Sequence, residues 1–142
     1  HVAINSHGTP TAAFVKNASW ANPSEACVAE IVQTVGEAGV GAFDAYGAAT
    51  RLMGDSIYTN PMMLGYAWQK GWIPLGRDAL MRAIELNAVA VDNNKAAFEW
   101  GRHAAHIPIT SRRTEFDVDA LAYEQFDDTP AVPQPARARA RN

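Results

Sequence analysis

A single cysteine, Cys27, is the entire thiol content of the 142 residues. An internal disulfide is therefore impossible, as is a four-cysteine zinc or iron–sulfur site. Such usage suits a reducing compartment, and the expectation is a cytoplasmic protein. Long apolar runs are also lacking. None approaches the ~18 residues of a membrane span, and no signal peptide is visible, so no membrane partner is expected. Charge of one sign is scarce: 12 Lys and Arg face 15 Asp and Glu, a net charge of -3. That balance predicts solubility without the clustered basic face that nucleic acid requires. Phosphate loops, Gly-x-Gly-x-x-Gly turns and Gly-x-Ser-x-Gly elbows are missing, which removes the commonest nucleotide and hydrolase signatures.

What the chain does have is enough length for one domain with a buried core, and 48% hydrophobic residues to fill it. Residues 2–5, Val-Ala-Ile-Asn, read as a short buried strand followed by a Ser-His-Gly-Thr-Pro turn, and residues 11–15 as a second short strand. Residues 17–21 read as loop. Asn22-Pro23 reads as a helix start, with apolar residues at roughly helical spacing up to the break at Gly36. Val40 to Phe43 reads as another strand. Asp44 suits the cap of a helix over 45–53, and Gly54 suits its stop.

The densest apolar stretch is 54–72. Asn60-Pro61 predicts a helix start, because Asn can accept from an orphan backbone N–H and Pro suits the first helical position. Gly71 predicts its stop. Met62, Met63, Leu64, Tyr66, Ala67 and Trp68 leave almost no polar face, which predicts burial. Gly65 within this helix costs about 1 kcal/mol relative to Ala, which suggests a close neighbour. The connector 72–75 should be tucked in. Residues 77–86 form an amphipathic pattern with Asn87 as C-terminal cap, 88–91 read as extended, and Asp92 suits the cap of a last helix over 93–105. Residues 107–128 permit one short amphipathic helix, carried by Phe116, Val118, Leu121, Ala122 and Phe126. Residues 129–142 are a Pro/Arg/Ala-rich tail with no core formers, expected to be disordered or packed on a partner.

Several residues bear chemistry, each against a plainer use. Gly54-Asp55-Ser56 with Asp92-Asn93-Asn94 resembles a diphosphate–Mg²⁺ motif. Its third glycine is replaced by Ser, and two predicted helices separate its halves, so a helix stop and a cap explain it better. Glu99, His103 and His106 share helical spacing that can hold a divalent ion, but histidines near a helix C-terminus also favour its dipole. His7, beside Ser6, lies in a loop following a strand, where α/β sites gather; its plainer use is a surface turn. Cys27 reads as a small core filler. Trp68, Trp72 and Trp100 read as core or interface.

Together, Asn5-Ser6-His7-Gly8-Thr9-Pro10-Thr11-Ala12-Ala13-Phe14, Gly41-Ala42-Phe43-Asp44-Ala45, the 54–72 block, Ala83-Ile84-Glu85-Leu86-Asn87 and the block 92–102 resemble the gamma-type domain of 2-oxoacid:ferredoxin oxidoreductases. The nearest likeness is to the large fused indolepyruvate ferredoxin oxidoreductases of bacteria. The resemblance covers residues 1–106 and implies an α/β fold, the three-layer α/β/α gamma domain of the pyruvate-ferredoxin oxidoreductase type, here with a helical C-terminal half. It implies a parent enzyme that converts a 2-oxoacid, coenzyme A and oxidised ferredoxin into acyl-CoA, CO₂ and reduced ferredoxin, using thiamine diphosphate, Mg²⁺ and iron–sulfur clusters. The gamma domain itself holds neither thiamine nor clusters. It packs against the thiamine-binding domains and contributes to the coenzyme A side of the site.

On that basis no catalytic residue is expected in this chain, and Ser6, His7, Thr59 and Asn60 are the expected coenzyme A-facing positions, since a helix N-terminus suits a pyrophosphate. The Gly-rich strand–turn–helix that opens such a domain is absent, so the sequence corresponds to its C-terminal part. Its start at His1 without Met fits a fragment. A homo-oligomer is expected, and a non-catalytic oligomerisation module is the alternative from another class.

Overall fold

Parallel pairing of two four-residue strands sets the frame. In the computed structural model, which describes residues 1–8 and 23–107, β1 (Val2–Asn5) lies beside β2 (Val40–Phe43) with Val2 opposite Val40 and Asn5 opposite Phe43. Both strands fall where the apolar runs predict them. Ser6 N extends the ladder by donating to Phe43 O at 3.0 Å. The expected strand at 11–15, the loop at 17–21, the helix around 116–126 and the tail from 129 lie outside the described residues.

A parallel pair needs a crossover. It contains α1 (Ser24–Val35) and a 3₁₀ turn at Glu37–Gly39. The rest is helical: α2 (Ala45–Met53), a 3₁₀ turn at Ser56–Tyr58, α3 (Thr59–Gln69), α4 (Arg77–Asn87) and α5 (Val91–Ala104). The described residues thus form a mixed, mostly helical α/β structure around a two-stranded parallel sheet. Side chains alternate along a strand. Ala3 and Phe43 join the core with α2 and α3, while Val2 lies beside Cys27, Ile31 and Val35 of α1.

Most boundaries follow local chemistry. Asp44 Oδ1 accepts from Gly47 N at 2.7 Å and starts α2. Gly54, at φ +80°, closes it. Gly71, at φ +72°, closes α3, with Gly71 N donating to Trp68 O and Trp72 N to Ala67 O.

Three boundaries differ from expectation. Asn60 is no cap: α3 already begins at Thr59, running on from the 3₁₀ turn, and the side-chain cap belongs to Asp55, whose Oδ1 accepts from Ile57 N at 2.9 Å. Residues 88–91 are not extended, because Ala88 and Ala90 take left-handed φ values of 57° and 42° and α5 starts at Val91. Ala88 therefore ends α4 where Asn87 was expected, and Asp92 sits in the first turn of α5 instead of capping it.

The core lies where α3 crosses α5. Met62, Gly65, Tyr66 and Gln69 are the buried residues of α3, with Met62 and Tyr66 at 1% exposure. The crossing is close because it is glycine on glycine. A Cβ on Gly65 would overlap the Phe98 carbonyl oxygen, and one on Gly101 would overlap Met62 O and sit 2.9 Å from Tyr66 N.

By contrast, α1 has no buried residue, and Cys27 is exposed rather than a core filler. Cys27 borders an open groove between Val2 of β1 and the side chains of Ile31 and Val35. The connector is only half tucked in: Trp72 and Ile73 are half-buried, but Leu75 is 54% exposed. Its carbonyl accepts from Trp68 Nε1 at 2.8 Å, which holds the loop by its backbone.

Candidate functional site at the carboxyl ends of the strands

In an open parallel α/β sheet, ligands gather outside the carboxyl ends of the strands. Here that edge is formed by Asn5, Ser6 and His7 following β1, and by Asp44, Ala45 and Tyr46 following β2. Because Asn5 stands opposite Phe43, the residues just beyond each strand meet. Asn5 Oδ1 accepts from His7 N at 3.2 Å and from Ala45 N at 3.1 Å. One side-chain oxygen thus folds the β1 turn back and ties it to the first turn of α2.

The His7 ring is held on two sides. Its Nδ1 lies 3.3 Å from Asp44 Oδ1. Its face stacks on Tyr46, with ring centroids 4.1 Å apart and planes 19° apart. The imidazole side chain is 31% exposed. A carboxylate beside Nδ1 favours the proton on that nitrogen and leaves Nε2 as an acceptor. That is the arrangement in which a histidine serves as a base. Ser6 lies in the same turn and is exposed. Asp44 already supplies negative charge at the N-terminus of α2, which disfavours an anionic ligand there.

Thr59 and Asn60, the other two expected positions, stand at the start of α3. Thr59 Oγ1 donates to Ser56 O at 2.6 Å. Asn60 is exposed. No hydrogen bond or ring contact joins either to Ser6 or His7 among the described residues. The structure therefore brings two of the four expected residues together with three that sequence reasoning left out of the site: Asn5, Asp44 and Tyr46. Their signal was present in their positions at strand ends, and only the parallel register brings them together.

The remaining chemical groups have other uses. Glu99 pairs with Arg77 at 2.6 Å and with Arg102 at 2.5 Å. His103 lies against Trp100, and His106 follows the end of α5 and is exposed. Among the described residues no three His, Cys, Asp or Glu side chains converge on a point where a metal could sit. Asp55 caps its turn, and Asn93 Nδ2 donates to Tyr58 Oη at 2.9 Å. These residues do not fit a diphosphate–Mg²⁺ site, and a single cysteine does not fit a cluster.

An open cleft of about 500 Å³ between α4 and α5 is lined by Arg77, Arg82, Glu85, Lys95 and Glu99, among others. Its cations are already paired with its acids. Lys95 and then Arg82, by hydrogen bonding to Glu85, hold that carboxyl below its ordinary value. No helix among the described residues is long and apolar enough to cross a membrane.

No family model, curated protein or solved structure matches the chain.

Proposed function

We propose that the chain is the C-terminal part of a gamma-type domain of a 2-oxoacid:ferredoxin oxidoreductase of the indolepyruvate kind. In this reading it is an accessory domain of the three-layer α/β/α type in a cytoplasmic enzyme. It docks on the thiamine-binding domains and contributes the coenzyme A side of the site. Thiamine diphosphate, Mg²⁺ and the clusters belong to the neighbouring domains, and ferredoxin is the partner of the whole enzyme.

The observation that carries this reading is the α3–α5 crossing. The two most specific blocks of the resemblance, 54–72 and 92–102, are the two helices whose glycines meet at Gly65 and Gly101. The resemblance therefore tracks the packing core and not a scatter of surface residues. The parallel strand pair and the polar edge at Asn5–Ser6–His7 agree with an α/β domain that offers a ligand face.

The test uses the native enzyme that contains this chain. Its intact mass is expected to exceed that of the 142 residues. The enzyme is expected to reduce ferredoxin when given an aryl or branched 2-oxoacid and coenzyme A. Calorimetry of coenzyme A against Asn60→Leu and Ser6→Ala variants then asks which strand end or helix start faces the ligand. Unchanged affinity in a variant removes that position.

A second reading, a non-catalytic module that makes a homo-oligomer, is favoured by one feature. Cys27, Val28, Ile31, Val32 and Val35 form an apolar stripe on α1, a helix without a buried residue. Sedimentation of the chain decides it: a tight dimer without coenzyme A affinity supports the module.

A further inference from the structure

We infer that His7 is a proton acceptor for the thiol of the acyl acceptor, oriented for that task by Asp44 and Tyr46. The inference rests on the proposed function and gives the strand-end site a chemical role. Two contacts hold the imidazole and a third holds the backbone that carries it. Asn5 Oδ1 holds its backbone N–H at 3.2 Å, Asp44 Oδ1 faces its Nδ1 at 3.3 Å, and Tyr46 stacks on its plane at 4.1 Å. A turn histidine serving only to solvate the surface needs none of them. Nε2 has no hydrogen-bond partner among the described residues. The charged or titratable groups in contact with the ring there are Asp44 and Tyr46.

The chemistry is a single proton transfer. A thiol is a weak nucleophile until it loses its proton. The S–H bond breaks as Nε2 takes the proton, and the electron pair stays on sulfur, leaving a thiolate as the nucleophile. The imidazolium that forms faces the Asp44 carboxylate, which stabilises it. The proton then passes to solvent through the exposed side of the ring. Asp44 is a positioning residue here, because it acts through His7.

The experiment measures acyl-CoA formation by the native enzyme across pH, with coenzyme A affinity by calorimetry in parallel. His7→Gln is expected to slow acyl-CoA formation by about 100-fold near neutral pH, a loss much larger than the accompanying loss of coenzyme A affinity. The deficit is expected to shrink as pH rises, since a thiol that ionises unaided needs no base; a purely structural loss has no reason to recover in that way. Asp44→Asn keeps the helix cap, because Asn caps as well as Asp, and keeps an oxygen facing Nδ1; it is expected to cost about tenfold because the imidazolium loses the charge that stabilises it. Exogenous imidazole is expected to restore part of the rate to His7→Gly. If the wild-type enzyme makes no acyl-CoA from any 2-oxoacid, the proposed function itself fails and the inference with it. If the wild type is active and His7→Gln matches it at every pH, the inference alone is overturned.

Discussion

Gly65 of α3 and Gly101 of α5 face each other across the helix crossing, each leaving room for the backbone of the other helix. A Cβ at either position runs into a carbonyl oxygen of the opposite helix, Phe98 O or Met62 O. Alanine is ordinarily better than glycine in a helix by about 1 kcal/mol. Here that gain is outweighed, because a backbone carbonyl cannot swing aside as a side chain can. Gly65→Ala and Gly101→Ala are each expected to destabilise by about 3 kcal/mol, read as a lower denaturation midpoint in urea. The pair combined should cost less than the sum, since the first substitution already forces the helices apart. A neutral result for either single variant would contradict the close crossing.

Arg102 joins the same two helices, and through Glu99 also α4, by polar means. It is 4% exposed. Its Nε donates to Gln69 Oε1 at 2.9 Å and its Nη1 to Glu99 Oε2 at 2.5 Å. The guanidinium lies over Trp68 at 5.2 Å, and Glu99 reaches on to Arg77 of α4. Removing one member of a buried network strands its partners. Arg102→Ala is expected to cost about 3–5 kcal/mol, and Arg102→Lys most of that, because an ammonium cannot supply the same fork of donors or stack on the indole. Raising salt should change the wild-type midpoint little, since the pair is poorly accessible to ions. A lysine variant as stable as the wild type would show that charge alone suffices.

Much of this architecture is legible in residue order because local chemistry decides it. Asp44 before an alanine-rich run caps α2 through its own side chain, and Gly54 and Gly71 adopt the left-handed conformation that glycine tolerates. Where distant residues decide, the sequence is silent. Ala88 and Ala90 carry no signal for a left-handed turn, since alanine disfavours it; the turn is held in part by Asn94 Nδ2 donating to Val89 O at 2.8 Å. Asn60 looks like a cap, yet Asp55 starts the 3₁₀ turn that feeds α3. Gly65 did announce a close neighbour, and Gly101 in the next apolar helix was the matching signal. The His7–Asp44 contact spans 37 positions and exists only because β1 and β2 are parallel in one register. Alternation of apolar residues does not specify that register.

Asn5 holds the strand-end site together through one oxygen. Asn5→Ala removes the acceptor for both His7 N and Ala45 N, and is expected to destabilise by about 1–2 kcal/mol. The His7 ring should also lose its fixed placement, seen as averaging of its contact with Tyr46 in side-chain NMR. Stability loss with the His7–Tyr46 contact intact would mean that Asp44 and Tyr46 alone are enough to hold the ring.

Tyr66 carries the one buried side-chain polar atom, among the described residues, that lacks a hydrogen-bond partner, its phenolic oxygen. The ring is well placed, stacked on Phe43 at 4.7 Å and edge-on to Trp72. The hydroxyl lies close over Gly41, where a Cβ would meet it at 2.5 Å. An unpartnered buried hydroxyl costs free energy that its removal returns. Tyr66→Phe is therefore expected to be neutral or to stabilise by up to about 1 kcal/mol at neutral pH. Burial also pushes the phenol above its ordinary value of 10.0, because the charged form loses hydration. The unfolded chain then ionises this group first. Its contribution to stability is complete below pH 10.0 and falls as pH rises from there through the raised native value. The Phe variant lacks this loss, so its advantage over the wild type should widen above that pH in chemical denaturation. A Phe variant less stable than the wild type at neutral pH, with the gap closing in alkali, would mean that the hydroxyl is in fact satisfied by a buried water.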